Sequence, residues 1–289
     1  MKVLILGGTG SIGTAVTQEL VRGGHDVTGL SRSAASDRKL AAMGARPLRG
    51  DLRSPGGWVR EVARTDGLIQ LAATFEDDMA AADTTAVTAI LRQAALRPEP
   101  LRLIYTGGCW LYGATGRRVA DETSPMRPIK PFEWMQRNAR ALLASPAVTA
   151  AVIHPAMVYH EDGGVFSRYL QAARRAKPFE IWGSIATRWP LVQREDLARA
   201  YRLLLERPGL TGHFNVSAEP GVPVSDITQE IARRHGHDSS YVVRSLKHVL
   251  IKYGTWAEGP TLDQQMASHK LRRQTGWTPR YASFRNAHF

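Results

Sequence analysis

Leu4-Ile5-Leu6-Gly7-Gly8-Thr9-Gly10-Ser11-Ile12-Gly13-Thr14 is the stretch that decides the fold. The run Lys2–Leu6 that leads into it is continuously apolar after Lys2, as in a strand covered on both faces. From Gly13 to Arg22 the pattern turns helical, with Ile12, Val16 and Leu20 on one side. A glycine-rich turn between such a strand and such a helix presents backbone N–H groups at a helix N-terminus, where a pyrophosphate is held. Gly7 allows the tight turn, Gly10 a close backbone approach to the ligand, and Gly13 close packing of helix on strand. Thr9, Ser11 and Ile12 complete the expected cradle.

Outward from this turn, strands and helices alternate. Gly23-Gly24 ends the helix and His25–Leu30 reads as the second strand. Lys39–Met43 reads as helix, Arg46–Arg49 as extended and Gly67–Ala72 as strand. Asp83–Leu96 is an alanine-rich helix, Leu101–Tyr105 a strand, Glu133–Ala144 a helix and Thr149–His154 a strand. Repeated β–α–β units with short connections predict an α/β fold, a doubly wound parallel Rossmann sheet. Residues 1–155 are assigned to it, completed by about 190–216. Beyond Pro155 the alternation breaks down, so 156–189 and 217–289 are expected to form a smaller C-terminal substrate lobe.

The 289 residues are 43% hydrophobic and 22% charged, ordinary for a soluble globular enzyme. Cys109 is the single cysteine, so no intrachain disulfide forms and a reducing cytoplasm is the expected location. The apolar run Val3–Leu6 is too short for a signal sequence or membrane span. Net charge is +12, but the arginines are scattered from Arg22 to Arg272 without a basic block. That pattern argues for a basic surface that attracts a phosphorylated cofactor, and against a nucleic-acid partner. The expected partner is a small molecule, with the chain a monomer or a homodimer.

The end of the second strand bears on cofactor choice. A carboxylate there holds the ribose 2′-hydroxyl of NAD, and a cation there accommodates the 2′-phosphate of NADP. Leu30-Ser31-Arg32-Ser33 has no acid until Asp37. Ser31 and Arg32 therefore point to NADPH, with NADH as the second option.

Further motifs appear in order. They are Gly50-Asp51-Leu52, Leu71-Ala72-Ala73, Ile104-Tyr105-Thr106-Gly107-Gly108-Cys109-Trp110-Leu111-Tyr112-Gly113, His154-Pro155-Ala156-Met157-Val158-Tyr159, Val192–Ala200 and Leu271–Pro279. In this order the chain resembles the extended and atypical short-chain dehydrogenase/reductase superfamily, the epimerase/dehydratase-like branch, over nearly its whole length. The resemblance implies adenine contacts at Asp51 and Leu52. It places Leu71, Ala72 and Ala73 along the cofactor, and Thr106 and Pro155 near the nicotinamide.

One departure is decisive for chemistry. That superfamily carries a serine and a Tyr-x-x-x-Lys pair, and this chain has no Tyr-x-x-x-Lys. The serine position falls on Gly108. The pair falls either on Phe132/Gln136 or on Trp134/Asn138, depending on the helix register. In that absence the chain resembles the triad-lacking ketoreductases of aromatic antibiotic tailoring, such as the angucyclinone ketoreductase of the simocyclinone pathway. A polycyclic aromatic ketone hydrogen-bonded to its own phenol would bring its own acid. Thr106, Cys109 and His154 are the remaining candidates for a protein donor. Gly108, Trp110, Trp134, Met157, Phe166 and Trp182 are the expected substrate contacts, with Trp189 a further aromatic. Tyr112 is expected to pack beneath the pocket with its hydroxyl satisfied, and His235-x-His237 to be a solvated loop that binds no metal. A cofactor-holding isomerase, cyclase or dehydratase, and a non-catalytic RNA-binding relative, are the alternatives.

Overall fold

A computed structural model describes residues 1–74 and 76–289. The first half runs β1 (Lys2–Leu6), α1 (Ser11–Arg22), β2 (Asp26–Ser31), α2 (Ala34–Ala42), β3 (Arg46–Arg49), β4 (Gly67–Gln70), α3 (Met79–Ala94), β5 (Leu101–Thr106), α4 (Glu133–Ala144) and β6 (Val148–Pro155). The second half runs β7 (Met157–His160), β8 (Gly163–Gly164), α5 (Ser167–Arg174), β9 (Phe179–Trp182), β10 (Arg188–Gln193), α6 (Arg194–Leu205), β11 (Gly212–Val216), β12 (Glu219–Pro223), α7 (Val224–His235), β13 (Tyr241–Arg244), α8 (Leu246–Tyr253) and α9 (His269–Thr275). The molecule is an α/β Rossmann-type fold around a seven-stranded parallel sheet in the order β11-β6-β5-β4-β1-β2-β3.

The winding reverses between β1 and β4, which pair in register from Val3–Gly67 to Leu6–Gln70. Open sheets of this kind bind ligands at the carboxyl ends of the strands beside that reversal. Both faces of the sheet are covered, so Val3, Leu4, Ile5 and Leu6 all fall in core clusters although they alternate in direction. This is why the run reads as unbroken apolar sequence.

Two helices start earlier than the sequence indicated. The second spans Ala34–Ala42 because Ser33 caps it, its hydroxyl accepting the Ser36 N–H. The third begins at Met79, four residues before Asp83, through a turn of small residues with weak periodicity. The segment 190–193 belongs to β10, in a separate four-stranded sheet of order β12-β10-β7-β8, and only α6 and β11 return to the main sheet. A two-stranded sheet of β9 and β13 completes the smaller part.

The C-terminal segment is clasped to α6. The carboxylate of Asp196, fully buried, accepts the N–H groups of Arg280 and Tyr281, and its backbone carbonyl accepts the Trp277 indole N–H at 2.9 Å. Among the described residues, no helix is long and apolar enough to cross a membrane.

Candidate active-site cleft

A cleft of about 1580 Å³ opens at the reversal of the sheet and runs from the glycine turn to the aromatic side chains of the smaller sheets. Gly7, Thr9, Gly10, Ser11, Ile12 and Gly13 line one end. The three motif glycines have different reasons to be glycine. Gly7 has φ +89°, and a Cβ there would sit 2.7 Å from the backbone of Ala72. A Cβ on Gly13 would come within 1.9 Å of the Gly7 carbonyl oxygen. Gly10 is sterically free within the protein, since its Cβ would meet nothing nearer than 3.4 Å. The space before Gly10 therefore belongs to whatever the turn receives. As N-cap of α1, Gly10 offers no side-chain acceptor, which leaves the opening N–H groups of the helix uncapped toward the cleft.

The next wall is formed by Asp51 and Leu52 after β3, and by Leu71, Ala72 and Ala73 after β4. Arg32 lines the cleft beside Ser36 and Lys39, and no ion pair of Arg32 occurs among the described residues. The nearest acid in sequence, Asp37, is held by Arg49 instead. Lys39 donates to the Thr9 carbonyl at 2.7 Å and so ties α2 to the glycine turn. Ser31, expected as a phosphate donor, lies outside the cleft. It is buried, and its hydroxyl donates to the Ser33 carbonyl at 3.1 Å.

At the end where chemistry would occur, Thr106, Gly108, Cys109 and Trp110 line the cleft, as do Pro155 and Met157. A Cβ on Gly108 would meet nothing within 4 Å, so a serine position of the superfamily is here an empty volume. Both candidate registers bring their first residue, Phe132 or Trp134, to the cleft, and neither brings its second, Gln136 or Asn138. Trp134 and Asn138, one helical turn apart, are the inward pair of α4, whereas Gln136 is only half-buried. Trp134 lines the cleft with its indole N–H donating to the Pro131 carbonyl at 2.8 Å. Phe132 also faces the cleft, packed 5.5 Å from the Trp110 ring.

Asn138 is committed to a buried network. Its amide donates to Asp83 at 2.7 Å, Tyr105 donates to the same carboxylate oxygen at 2.7 Å, and Gln70 donates to the other. Burial raises Asp83 above the usual carboxylate range, against the pull of these three donors. A lysine in place of Asn138 would meet that carboxylate.

The three candidate proton donors fare differently. Thr106 lines the cleft, but its proton goes to the Gln70 carbonyl at 2.7 Å, while the Tyr201 hydroxyl lies 2.8 Å away. Cys109 is buried, which pushes its thiol up to about 12, so it remains protonated and a poor nucleophile. His154 does not line the cleft. Its ring is fully buried behind Gly107, stacked 5.1 Å from His213 and bonded to it at 2.9 Å. Burial, with the His213 charge, lowers its pKa to about 3. Its neighbour Pro155 does line the cleft.

Trp182 and Trp189 line the far wall with Arg168, Glu180, Tyr253 and Trp256, four residues that the sequence did not single out as site residues. Phe166 does not reach the cleft. It is buried, stacked 5.0 Å from Tyr159 and edge-on to Phe284 and Phe289. Burial opposes ionisation of Glu180, but bonds from Trp182 and Tyr253 with the Lys252 and Arg244 cations prevail and hold its carboxyl at about 2. Tyr112 is buried beneath the site with its hydroxyl donating to Asn215 at 2.8 Å. The His237 side chain is packed, not solvated, its ring 4.3 Å from Phe179. No cluster of metal ligands occurs among the described residues.

The chain belongs to the NAD dependent epimerase/dehydratase family, whose model matches residues 3–217. It is similar to the uncharacterized protein YLL056C of Saccharomyces cerevisiae, 28% identical over 96% of this chain and 95% of that one. It is also similar to the 4-hydroxy-2-methyl-3-oxo-4-farnesyl-3,4-dihydroquinoline-1-oxide ketoreductase of Stigmatella aurantiaca, at 27% over 62% of this chain and 57% of that protein. Among solved structures, UDP-glucose 4-epimerase of Thermus thermophilus in complex with NAD superposes with a TM-score of 0.81, at 19% identity over 99% and 96% of the two chains. Human epimerase family protein SDR39U1 with NADPH superposes at 0.79, with 21% identity over 98% and 96%.

Proposed function

We propose that this chain is an NADPH-dependent ketoreductase of a polycyclic aromatic ketone, of the polyketide or angucyclinone type made in antibiotic biosynthesis. The observation that carries the reading is the pairing of a complete dinucleotide cradle with a reaction end that offers no free acid. Gly10 leaves ligand space before an uncapped helix N-terminus, and Arg32 stands there without a carboxylate partner among the described residues. These features fit a dinucleotide with a 2′-phosphate. When bound, it supplies a hydride to the ketone carbon.

The residues of the chain then do the rest by placement. Trp110, Phe132, Trp134, Met157, Trp182 and Trp189 all line the cleft. Such a slot orients a flat ring and excludes water. Proximity and orientation alone supply about 7–11 kcal/mol of barrier lowering, more than the roughly 3–5 kcal/mol lost with a general acid. The alkoxide formed from the ketone takes its proton from a neighbouring phenol of the substrate, and solvent restores that phenol. The Stigmatella relative, named for a ketone in a ring fused to a benzene ring with a hydroxyl on the adjacent carbon, supports ketone reduction on a fused-ring substrate.

The test is NADPH consumption with hydroxylated anthraquinone-type ketones, with product reduction followed in parallel. Stoichiometric loss of NADPH and ketone is the expected result. NADPH binding with no ketone reduced would move an isomerase, cyclase or dehydratase ahead.

A further inference from the structure

Arg168 stands on α5 at the far wall of the cleft, without a counter-ion. Its guanidinium carbon lies 3.9 Å from the centre of the Trp182 ring, 4.7 Å from that of Tyr169 and 5.8 Å from that of Trp189. Its Nη2 donates to the Tyr169 hydroxyl at 2.8 Å. Its Nε is buried and makes no hydrogen bond. The anion of this corner, Glu180, is engaged elsewhere, by Trp182 Nε1 at 2.9 Å, the Tyr253 hydroxyl at 2.8 Å, Arg244 at 3.4 Å and Lys252 at 3.6 Å. No carboxylate lies within 4.0 Å of Arg168 among the described residues.

Of the other arginines that line the cleft, Arg194 is neutralised by Glu195, whereas Arg32, like Arg168, has no ion pair among the described residues. A guanidinium held over an indole keeps its N–H donors in the plane of the group, clear of the ring; with Nε buried and one Nη2 hydrogen given to Tyr169, the Nη1 hydrogens and the second Nη2 hydrogen remain for an anion. The rings hold the cation but cannot satisfy its donors, so part of its hydrogen-bonding capacity is left for a ligand.

We infer that the substrate carries an anionic group, a carboxylate or an acidic phenolate on the ring system, at the end remote from the reducible ketone, and that Arg168 selects it. This inference deepens the ketoreductase reading and rests on it. Arg168 is a specificity-determining residue in this account, with no part in hydride or proton transfer.

The experiment uses two probes that differ in one group, a hydroxyanthraquinone carboxylate and its carboxamide. Binding to the full chain is measured by calorimetry with NADP+ present, so that nothing turns over. The carboxylate is expected to bind about 10- to 100-fold more tightly than the carboxamide, the worth of a charge-assisted hydrogen bond. In Arg168→Met that ratio is expected to fall to near one, and in Arg168→Lys to stay intermediate. Should the methionine variant fail to fold, as judged by its melting transition, Arg168→Gln replaces it and the same loss is expected. Equal binding of both probes by the wild type would overturn this inference and leave the ketoreductase reading standing, as would a preference that survives both neutral variants. Failure of both probes to bind the wild type would overturn the aromatic-ketone reading, and this inference with it.

Discussion

The two ends of the cleft are built on opposite principles. At the glycine turn each residue is dictated by contact. A Cβ would strike backbone at Gly7 and Gly13, while at Gly10 it would meet nothing nearer than 3.4 Å. At the other end, the residues that the resemblance sets against the superfamily's serine and, in one register, its pair carry either no side chain or groups bonded to their own protein. The serine position is a bare Gly108, Trp134 donates to Pro131, and Asn138 donates to Asp83. Under the proposed function, the nucleotide end is specified by the chain alone and the chemical end is completed by the substrate.

The largest effect that would sharpen this contrast lies within the glycine turn. Gly13→Ala must move the Gly7 carbonyl and is expected to cost more than about 3 kcal/mol of stability, as overpacking against backbone does. Gly10→Val is expected to change stability by less than about 1 kcal/mol, because the backbone there is extended at φ −71° and ψ 177°. It should nonetheless abolish dinucleotide binding in calorimetry. Unchanged affinity would place the nucleotide elsewhere and break the comparison at its first end.

Next in size is the charge at the phosphate corner. Arg32→Asp is expected to reverse a preference for NADPH over NADH, with a shift of at least about 10-fold from the lost charge-assisted bond. Equal affinities for the two nucleotides in the wild type would remove the role given to Arg32. Smaller still is the effect of rebuilding the missing pair. Trp134→Tyr with Asn138→Lys is expected to bring no rise in kcat, since the new ammonium would pair with Asp83 and the slot would lose an indole wall. A clear rise would show that the reaction end lacked only its acid. The pH profile should be featureless on the protein's side between about pH 7 and 9, because Cys109 titrates near 12 and His154 near 3. An inflection there that follows a Cys109→Ala or His154→Gln change would assign the proton to that residue.

The fold was legible wherever local sterics dictate sequence. The apolar run of β1, the glycines and the bounds of β3 and α4 all follow from period and turn chemistry. Contacts between distant segments were not legible. Val192–Ala200 and Leu271–Pro279 read as two weak motifs, yet they are the two halves of one clasp, joined through Asp196 and Trp277. The phosphate corner was half legible. Arg32 could be seen, but the pairing of Asp37 with Arg49 could not, and Ser31 turned inward to its own turn. His154 could not be placed from sequence, since neighbours at the strand ends, such as Tyr105 and Thr106, line the cleft together, and only packing shows its ring buried behind Gly107 against His213. Phe166 and Arg168 show the limit of composition. Both lie at the start of α5 or just before it, and only packing decides that the aromatic goes to the core and the cation to the cleft.

The central claim is that the proton comes from the substrate. The direct measurement compares a ring ketone that carries an adjacent free phenol with the same ketone bearing a methyl ether there, under saturating NADPH, after equal binding of both has been established. The account predicts that the methylated compound is reduced about 10²- to 10⁴-fold more slowly, the usual worth of a positioned general acid. Equal turnover of the two would contradict it, and would mean that the cleft holds a proton donor of its own.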